Sequence, residues 1–176
     1  MNKIGLIHIY CGDGKGKTTA AMGLALRCAG HGEKVVIAQF LKDGTSGESR
    51  MLAKLDNVTM LAANPVGKFS KAMNESEREE SERAMARTFR AAVDFAVREH
   101  ARMLVLDEVC AAITAGMLEE WDVLDFLDDK PDDLEVVLTG RNPTLRMQER
   151  ADYISEICKR KHPFDRGIRA REGIEK

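Results

Sequence analysis

The run Gly12-Asp13-Gly14-Lys15-Gly16-Lys17-Thr18-Thr19 contains the residue types that hold phosphate groups. The widespread form of such a loop is G-x-x-x-x-G-K-[ST]. Gly16-Lys17-Thr18 closes that pattern, but the Gly-rich opening starts at Gly12, three residues are left between it and Gly16, and Cys11 takes the usual first position. Backbone N–H groups of a Gly-rich turn can converge on phosphate oxygens, and a following helix adds its positive end. Lys17 supplies a point charge and the Thr18 hydroxyl can ligate Mg²⁺. Asp13 places a carboxylate among these groups, so it must face Mg²⁺, a ribose hydroxyl, a loop N–H or solvent to avoid repulsion. The bland alternative is a turn that binds nothing. Lys and Thr directly after Gly16 favour nucleotide binding through Gly12, Asp13, Gly14, Lys15, Gly16, Lys17, Thr18 and Thr19.

A second acidic element, Asp107-Glu108, follows the apolar run Met103-Leu104-Val105-Leu106. A carboxylate in that position holds Mg²⁺ or its waters, or serves as a base. Capping of a helix that starts near Val109 is the structural alternative. Arg141 and Lys42 each follow another apolar run and would reach the same edge of a sheet, where a guanidinium or an ammonium can hold phosphate oxygens. Ion pairing is an equal reading for both. His162 lies in a basic tail, where a lone histidine is more often a surface or hydrogen-bonding residue, and His8 reads as structural. These parts serve phosphoryl transfer, ATP hydrolysis with Glu108 as base, or displacement elsewhere on the nucleotide, and spacing does not choose among them.

The elements that must position these groups are legible in the hydrophobic pattern. Apolar runs at 4–10, 35–40, 58–61, 103–106 and 136–138 have the character of strands buried on both faces. Residues 18–28 form a helix that Gly30-His31-Gly32 stops. Asn74 and Glu77 have capping-box spacing. The charged turns "ESEREESER" are expected to project into solvent, and the stripe Met85, Phe89, Val93 and Ala96 to pack. Trp121, Leu124 and Leu127 recur at one-turn spacing before Pro131. Five strands alternating with helices predict one α/β domain over 1–176, a three-layer, P-loop NTPase-like (RecA-like) fold with a mostly parallel central sheet. Ligands of such sheets bind at the carboxyl ends of the strands.

Composition narrows the class. A chain of 176 residues suits a single core, and 27 basic against 29 acidic side chains argue against a nucleic-acid-coating protein. Cys11, Cys28, Cys110 and Cys158 are widely spaced, so they read as small, buried, reduced thiols, not as a zinc site or a disulfide framework. No run has the make-up of a signal peptide or a membrane span, so a cytoplasmic protein with no membrane partner is expected.

Taken together, "GDGKGKTTAAMGLALRCAGHG", "VVIAQFLK" with Gly47-Glu48, "LVLDE", "VVLTGRNP", "ADYISEI" and "KHPFDRGIRAREGIE" resemble the ATP:corrinoid adenosyltransferases that carry a phosphate-binding loop. The resemblance runs through nearly the whole chain. It implies attack of a reduced Co(I) corrinoid on the ribose C5′ of ATP, with inorganic triphosphate leaving, in adenosylcobalamin synthesis or salvage. The short loop is normal in that family, usually with asparagine where Asp13 stands, and ATP lies reversed relative to ordinary loop enzymes. Carried over, Lys17 meets the phosphates, Thr18 and Glu108 hold Mg²⁺, Arg141 is the post-strand arginine, and Asp107 supports them. Many members have a Phe-Thr-Trp stretch near the corrin; here Phe69 is followed by Ser70 and Lys71. Phe69 is thus the expected corrinoid contact. Many members also carry an N-terminal extension over the corrin site, whereas this chain starts almost directly on its first strand, so closure of the site is expected to differ. The resemblance further implies a homodimer and leaves room for an electron-donating reductase. An ATPase or kinase of the same fold without corrinoid transfer is the alternative, and a nucleotide-sensing protein without turnover is a third.

Overall fold

The computed structural model describes residues 4–42, 44–63 and 73–175. Its centre is a sheet of six strands in the order β3-β2-β4-β5-β1-β6, formed by β1 (Ile7–Cys11), β2 (Val35–Gln39), β3 (Val58–Ala62), β4 (Met103–Asp107), β5 (Glu135–Thr139) and β6 (Tyr153–Glu156). Every pairing is parallel. Five of these strands coincide with the apolar runs. The sixth, β6, has no apolar run because all four of its residues are exposed. It pairs with β1 on one side, His8 opposite Tyr153 and Cys11 opposite Glu156.

The central strands explain why their sequence does not alternate. β2 and β4 are buried at every position, since helices cover both faces of a parallel sheet. On one face, Val36, Ala38, Phe40, Leu104, Leu106 and Leu138 pack with Met85, Phe89, Ala92, Val123 and Leu124. These come from α3 (Glu75–Arg98) and α5 (Glu120–Asp129), next to the short α4 (Val109–Thr114). On the other face, Val35, Ile37, Val105 and Val137 meet Ala21, Met22 and Ala25 of α1 (Lys17–Gly30). Small side chains on α1 let it approach the sheet closely, which brings its first turn over the strand ends.

The capping box at α3 is present: Asn74 Oδ1 accepts the Glu77 N–H at 2.9 Å and Glu77 Oε2 accepts the Asn74 N–H at 3.0 Å. The charged start of α3 is nevertheless anchored, because the Arg78 guanidinium donates to the Ala115 carbonyl at 2.8 Å. Trp121 departs from its sequence pattern. α5 turns Val123, Leu124, Phe126 and Leu127 to the core and leaves Trp121 56% exposed, with the Arg146 guanidinium 4.7 Å from its ring centroid. The thiols divide as well: Cys11 and Cys110 are buried, and burial pushes Cys110 up to about 12, whereas Cys28 is half-buried and Cys158 is exposed. His8 has a structural place, paired with Glu135 and stacked on Tyr153 at 4.5 Å between centroids.

Candidate nucleotide and corrinoid site

All strand ends that carry sequence-flagged residues meet at one edge. There the loop residues 13–16, Lys42, Glu108, Arg141 and the C-terminal segment line a cavity of about 980 Å³. The loop leaves β1 and enters α1 through Gly16, whose φ of 122° excludes ordinary side chains. Lys17 is buried and folds back to donate to the Gly14 carbonyl at 2.9 Å.

Asp107 organises the floor. Its fully buried carboxylate accepts hydrogen bonds from Thr18 Oγ1 (2.9 Å), Thr139 Oγ1 (2.7 Å), Gln39 Nε2 (3.0 Å) and Lys42 Nζ (2.9 Å). Lys42 Nζ also donates to Thr18 Oγ1 at 2.8 Å. Ser49, from α2 (Gly47–Leu52), donates to Gln39 Oε1 at 2.7 Å, and the Thr139 hydroxyl accepts the Glu108 N–H at 2.8 Å. A charge this deep is tolerated because every lone pair that faces inward has a donor. Among the described residues, no buried side-chain polar atom lacks a partner.

Glu108 sits beside this hub in a left-handed conformation, φ 63°, immediately before α4. That places its side chain on the cavity wall while Asp107 points down into the network. Burial raises the Glu108 carboxyl above its ordinary value, with the charge of Asp107 adding to the rise, and Lys42, Lys17 and Arg141 pull it back. Thr18, Asp107 and Glu108 offer hard oxygens only. That donor set suits Mg²⁺, which takes one or two carboxylates and fills its octahedron with phosphate oxygens and water. No cluster of three or more His, Cys, Asp or Glu forms a cage among the described residues.

The remaining wall comes from a part of the chain whose role the hydrophobic pattern does not reveal. After β6 the backbone runs beside the loop: Ile157 donates to the Cys11 carbonyl at 2.9 Å and its own carbonyl accepts the Gly14 N–H at 2.7 Å. A Cβ on Gly12 or Gly14 would lie 2.5 or 2.6 Å from that Ile157 oxygen. These glycines therefore admit a neighbouring backbone, and the Gly14 N–H is already committed. Beyond it, His162 accepts the Phe164 N–H and caps the short turn Pro163–Arg166. Phe164, Ile168 and Ile174 then face Met22, Leu26 and Met51 of α1 and α2 across the cavity. The site has a polar floor and two apolar walls.

The sequence profile of the ATP:corrinoid adenosyltransferase family BtuR/CobO/CobP matches residues 3–175. The chain belongs to that family. The family's reaction moves the adenosyl group of ATP to a corrinoid, and this chain is an enzyme of that class. The corrinoid adenosyltransferase of Escherichia coli K12 is 33% identical over 173 residues, covering 97% of this chain and 85% of that protein. Corrinoid adenosyltransferase CobA of Salmonella typhimurium LT2 is 34% identical over 182 residues, with 97% and 85% covered. In fold, the chain is similar to the KaiC-like protein PH0186 of Pyrococcus horikoshii OT3, at 19% identity, TM-score 0.52 and 90% and 75% coverage.

Within this adenosyltransferase, Asp13, Gly14, Lys15, Gly16, Lys17, Thr18, Thr19, Glu108 and Arg141 all line the one cavity, and Gly12 begins the loop beside it. Thr18 is joined directly to Asp107, with Glu108 adjacent on the wall. Phe69 lies outside the described residues. Gln39, Ser49, Thr139 and the apolar tail side chains Phe164, Ile168 and Ile174 carry no site signal in the motif spacing. Gln39 ending the otherwise apolar "VVIAQ" was the available signal for the buried network.

Proposed function

We propose that the polar floor holds the triphosphate of ATP as a leaving group while a reduced corrinoid attacks the ribose. Co(I) donates an electron pair to C5′, the Co–C bond forms, the C5′–O bond breaks, and the electron pair departs on the triphosphate oxygen. The observation that carries this reading is the cavity itself, in which Lys17, Lys42 and Arg141 gather at the Gly-rich loop opposite two apolar walls. A polyanion fits the first, and the adenosine and corrin ring fit the second.

The chain's residues have distinct tasks in this scheme. Lys17 and Arg141 neutralise charge that grows on the leaving triphosphate, and the helix end at Gly16 adds its dipole. Thr18 and Glu108 would hold Mg²⁺, with Asp107 fixing the Thr18 hydroxyl. When bound, that ion lowers the cost of the departing negative charge. No protein base is required, because cobalt is the nucleophile. The apolar walls from α1, α2 and the tail orient adenosine and exclude water. Phe69 remains the proposed corrinoid contact. We further propose that the protein acts in the cytoplasm and that, in keeping with the resemblance described above, it is a homodimer and receives its cobalt substrate reduced by a reductase. Among the described residues, no helix is long and apolar enough to cross a membrane.

An anaerobic assay with ATP, Mg²⁺ and chemically reduced cob(I)alamin tests the scheme. Adenosylcobalamin with intact triphosphate is expected. ADP and phosphate with no corrinoid product would replace it with the ATPase or kinase reading.

A further inference from the structure

The amine of Lys42 lies beside the position that a metal on Thr18 would take. A hydroxyl has one proton and two lone pairs. Thr18 gives its proton to Asp107 Oδ1 at 2.9 Å and accepts from Lys42 Nζ at 2.8 Å. The same ammonium donates to Asp107 Oδ2 at 2.9 Å, so it bridges the hydroxyl and the acid from the loop side. Mg²⁺ bound to that oxygen at about 2.1 Å would sit about 4 Å from the ammonium. A dication and an ammonium repel strongly at that range in a partly buried site. Both cannot keep these positions.

Lys42 also has a way out. Its side chain is 32% exposed and lines the nucleotide cavity, whereas Asp107 is sealed. Leu41 before it is held at φ 55°, an uncommon conformation for a bulky residue. On the other side, Gln39 and Thr139 keep their bonds to Asp107 without Lys42, so the carboxylate stays positioned when the ammonium leaves.

We propose that Lys42 is a place-holding cation. It bridges Thr18 and Asp107, and it swings away to let a divalent ion bind the Thr18 hydroxyl only when a triphosphate arrives to receive its charge. Metal and ATP then bind cooperatively, each raising the affinity of the other by the same factor. The inference rests on the reading that Thr18 is a metal ligand, which the experiment tests separately.

The probe is Mn²⁺, with unbound ion followed by electron paramagnetic resonance during titration of the full chain, with and without ATP and with no corrinoid present. The wild type is expected to bind Mn²⁺ weakly alone and at least about tenfold more tightly with ATP. Lys42→Met and Lys42→Gln are expected to bind Mn²⁺ alone about tenfold more tightly than wild type, with a correspondingly smaller response to ATP. Gln keeps a neutral donor for Asp107, so it decides the matter if circular dichroism shows that the Met variant does not fold. A wild-type chain that binds Mn²⁺ equally well with and without ATP overturns the proposal without any variant. Equal affinities in wild type and folded Lys42 variants overturn it too. If Thr18→Val leaves Mn²⁺ binding in the presence of ATP unchanged, the underlying metal assignment falls; if it weakens that binding while the Lys42 variants match wild type, only the place-holding role falls.

Discussion

The carboxylate of Asp13 accepts the backbone N–H of Lys159 at 2.9 Å, although the two residues are 146 positions apart. A carboxylate in a phosphate loop would repel the ligand unless another donor held it, and the tail supplies that donor. The bond, which is the largest cause, holds the Asp13 carboxyl below its ordinary value. Asp13 thus ties the apolar tail wall to the loop.

Asp13→Asn keeps an acceptor oxygen and is expected to change ATP affinity by less than about twofold. Asp13→Ala removes the tie and is expected to weaken ATP binding on the order of threefold or more, with faster amide exchange across the tail. The sign of the pH effect follows from the lowered carboxyl. The contribution of the tie is full above the unfolded-state value and is lost as pH falls through the lower folded-state value. Isothermal titration of ATP and hydrogen exchange check both; unaltered exchange in Asp13→Ala would exclude the tie.

Gly14→Ala sets a Cβ against the Ile157 carbonyl at 2.6 Å, where both partners are backbone. A destabilisation of about 1–3 kcal/mol is expected, as for other over-packed sites. Urea denaturation measures it, and a midpoint equal to wild type would mean that the loop and the segment after β6 do not lie this close.

Asp107→Ala strands the donors of Gln39 and Thr139 in the interior and takes the acceptor from Thr18, while Lys42 can turn to solvent. Each buried donor left without an acceptor costs about 1–3 kcal/mol. The expected result is a large loss of stability in denaturant, in addition to lost nucleotide binding. A stable Asp107→Ala protein would argue that the network contributes little.

Glu108 has the opposite electrostatic history. Its carboxyl is raised by burial and by Asp107, so the folded state binds a proton more readily than the unfolded state. Any stability linked to this group is full below the unfolded-state value and is lost as pH rises through the raised folded-state value. Glu108→Gln is therefore expected to raise the unfolding midpoint at neutral pH while it lowers transfer activity on the order of tenfold or more. Thermal unfolding and the anaerobic transfer assay, run on the same preparation, separate the two effects; a fall in midpoint would contradict the burial argument.

Lys17→Ala removes a buried ammonium beside the Gly14 carbonyl. ATP affinity is expected to fall about a hundredfold, with the fold retained because the loop keeps its contacts to Ile157. Titration of ATP against the variant checks this, and wild-type affinity would remove Lys17 from the phosphate site.

Five of the six strands were legible in the apolar runs, most plainly β2 and β4, because a parallel sheet covered on both faces leaves uninterrupted stretches such as "VVIA" and "MLVL". The sequence by itself also determined the local devices, the loop before α1 and the capping box of α3, since these depend on residues only a few positions apart. β6 escaped the hydrophobic pattern because an exposed edge strand owes its place to backbone pairing with β1, and its side chains carry no burial signal. The tertiary structure alone decided which acid meets Thr18, since the left-handed turn at Glu108 sends adjacent carboxylates to different places. It likewise decided what Asp13 and the glycines are for. Their partners, Lys159 and Ile157, lie at the other end of the chain, and contacts that distant become visible only when the sheet brings β6 beside β1.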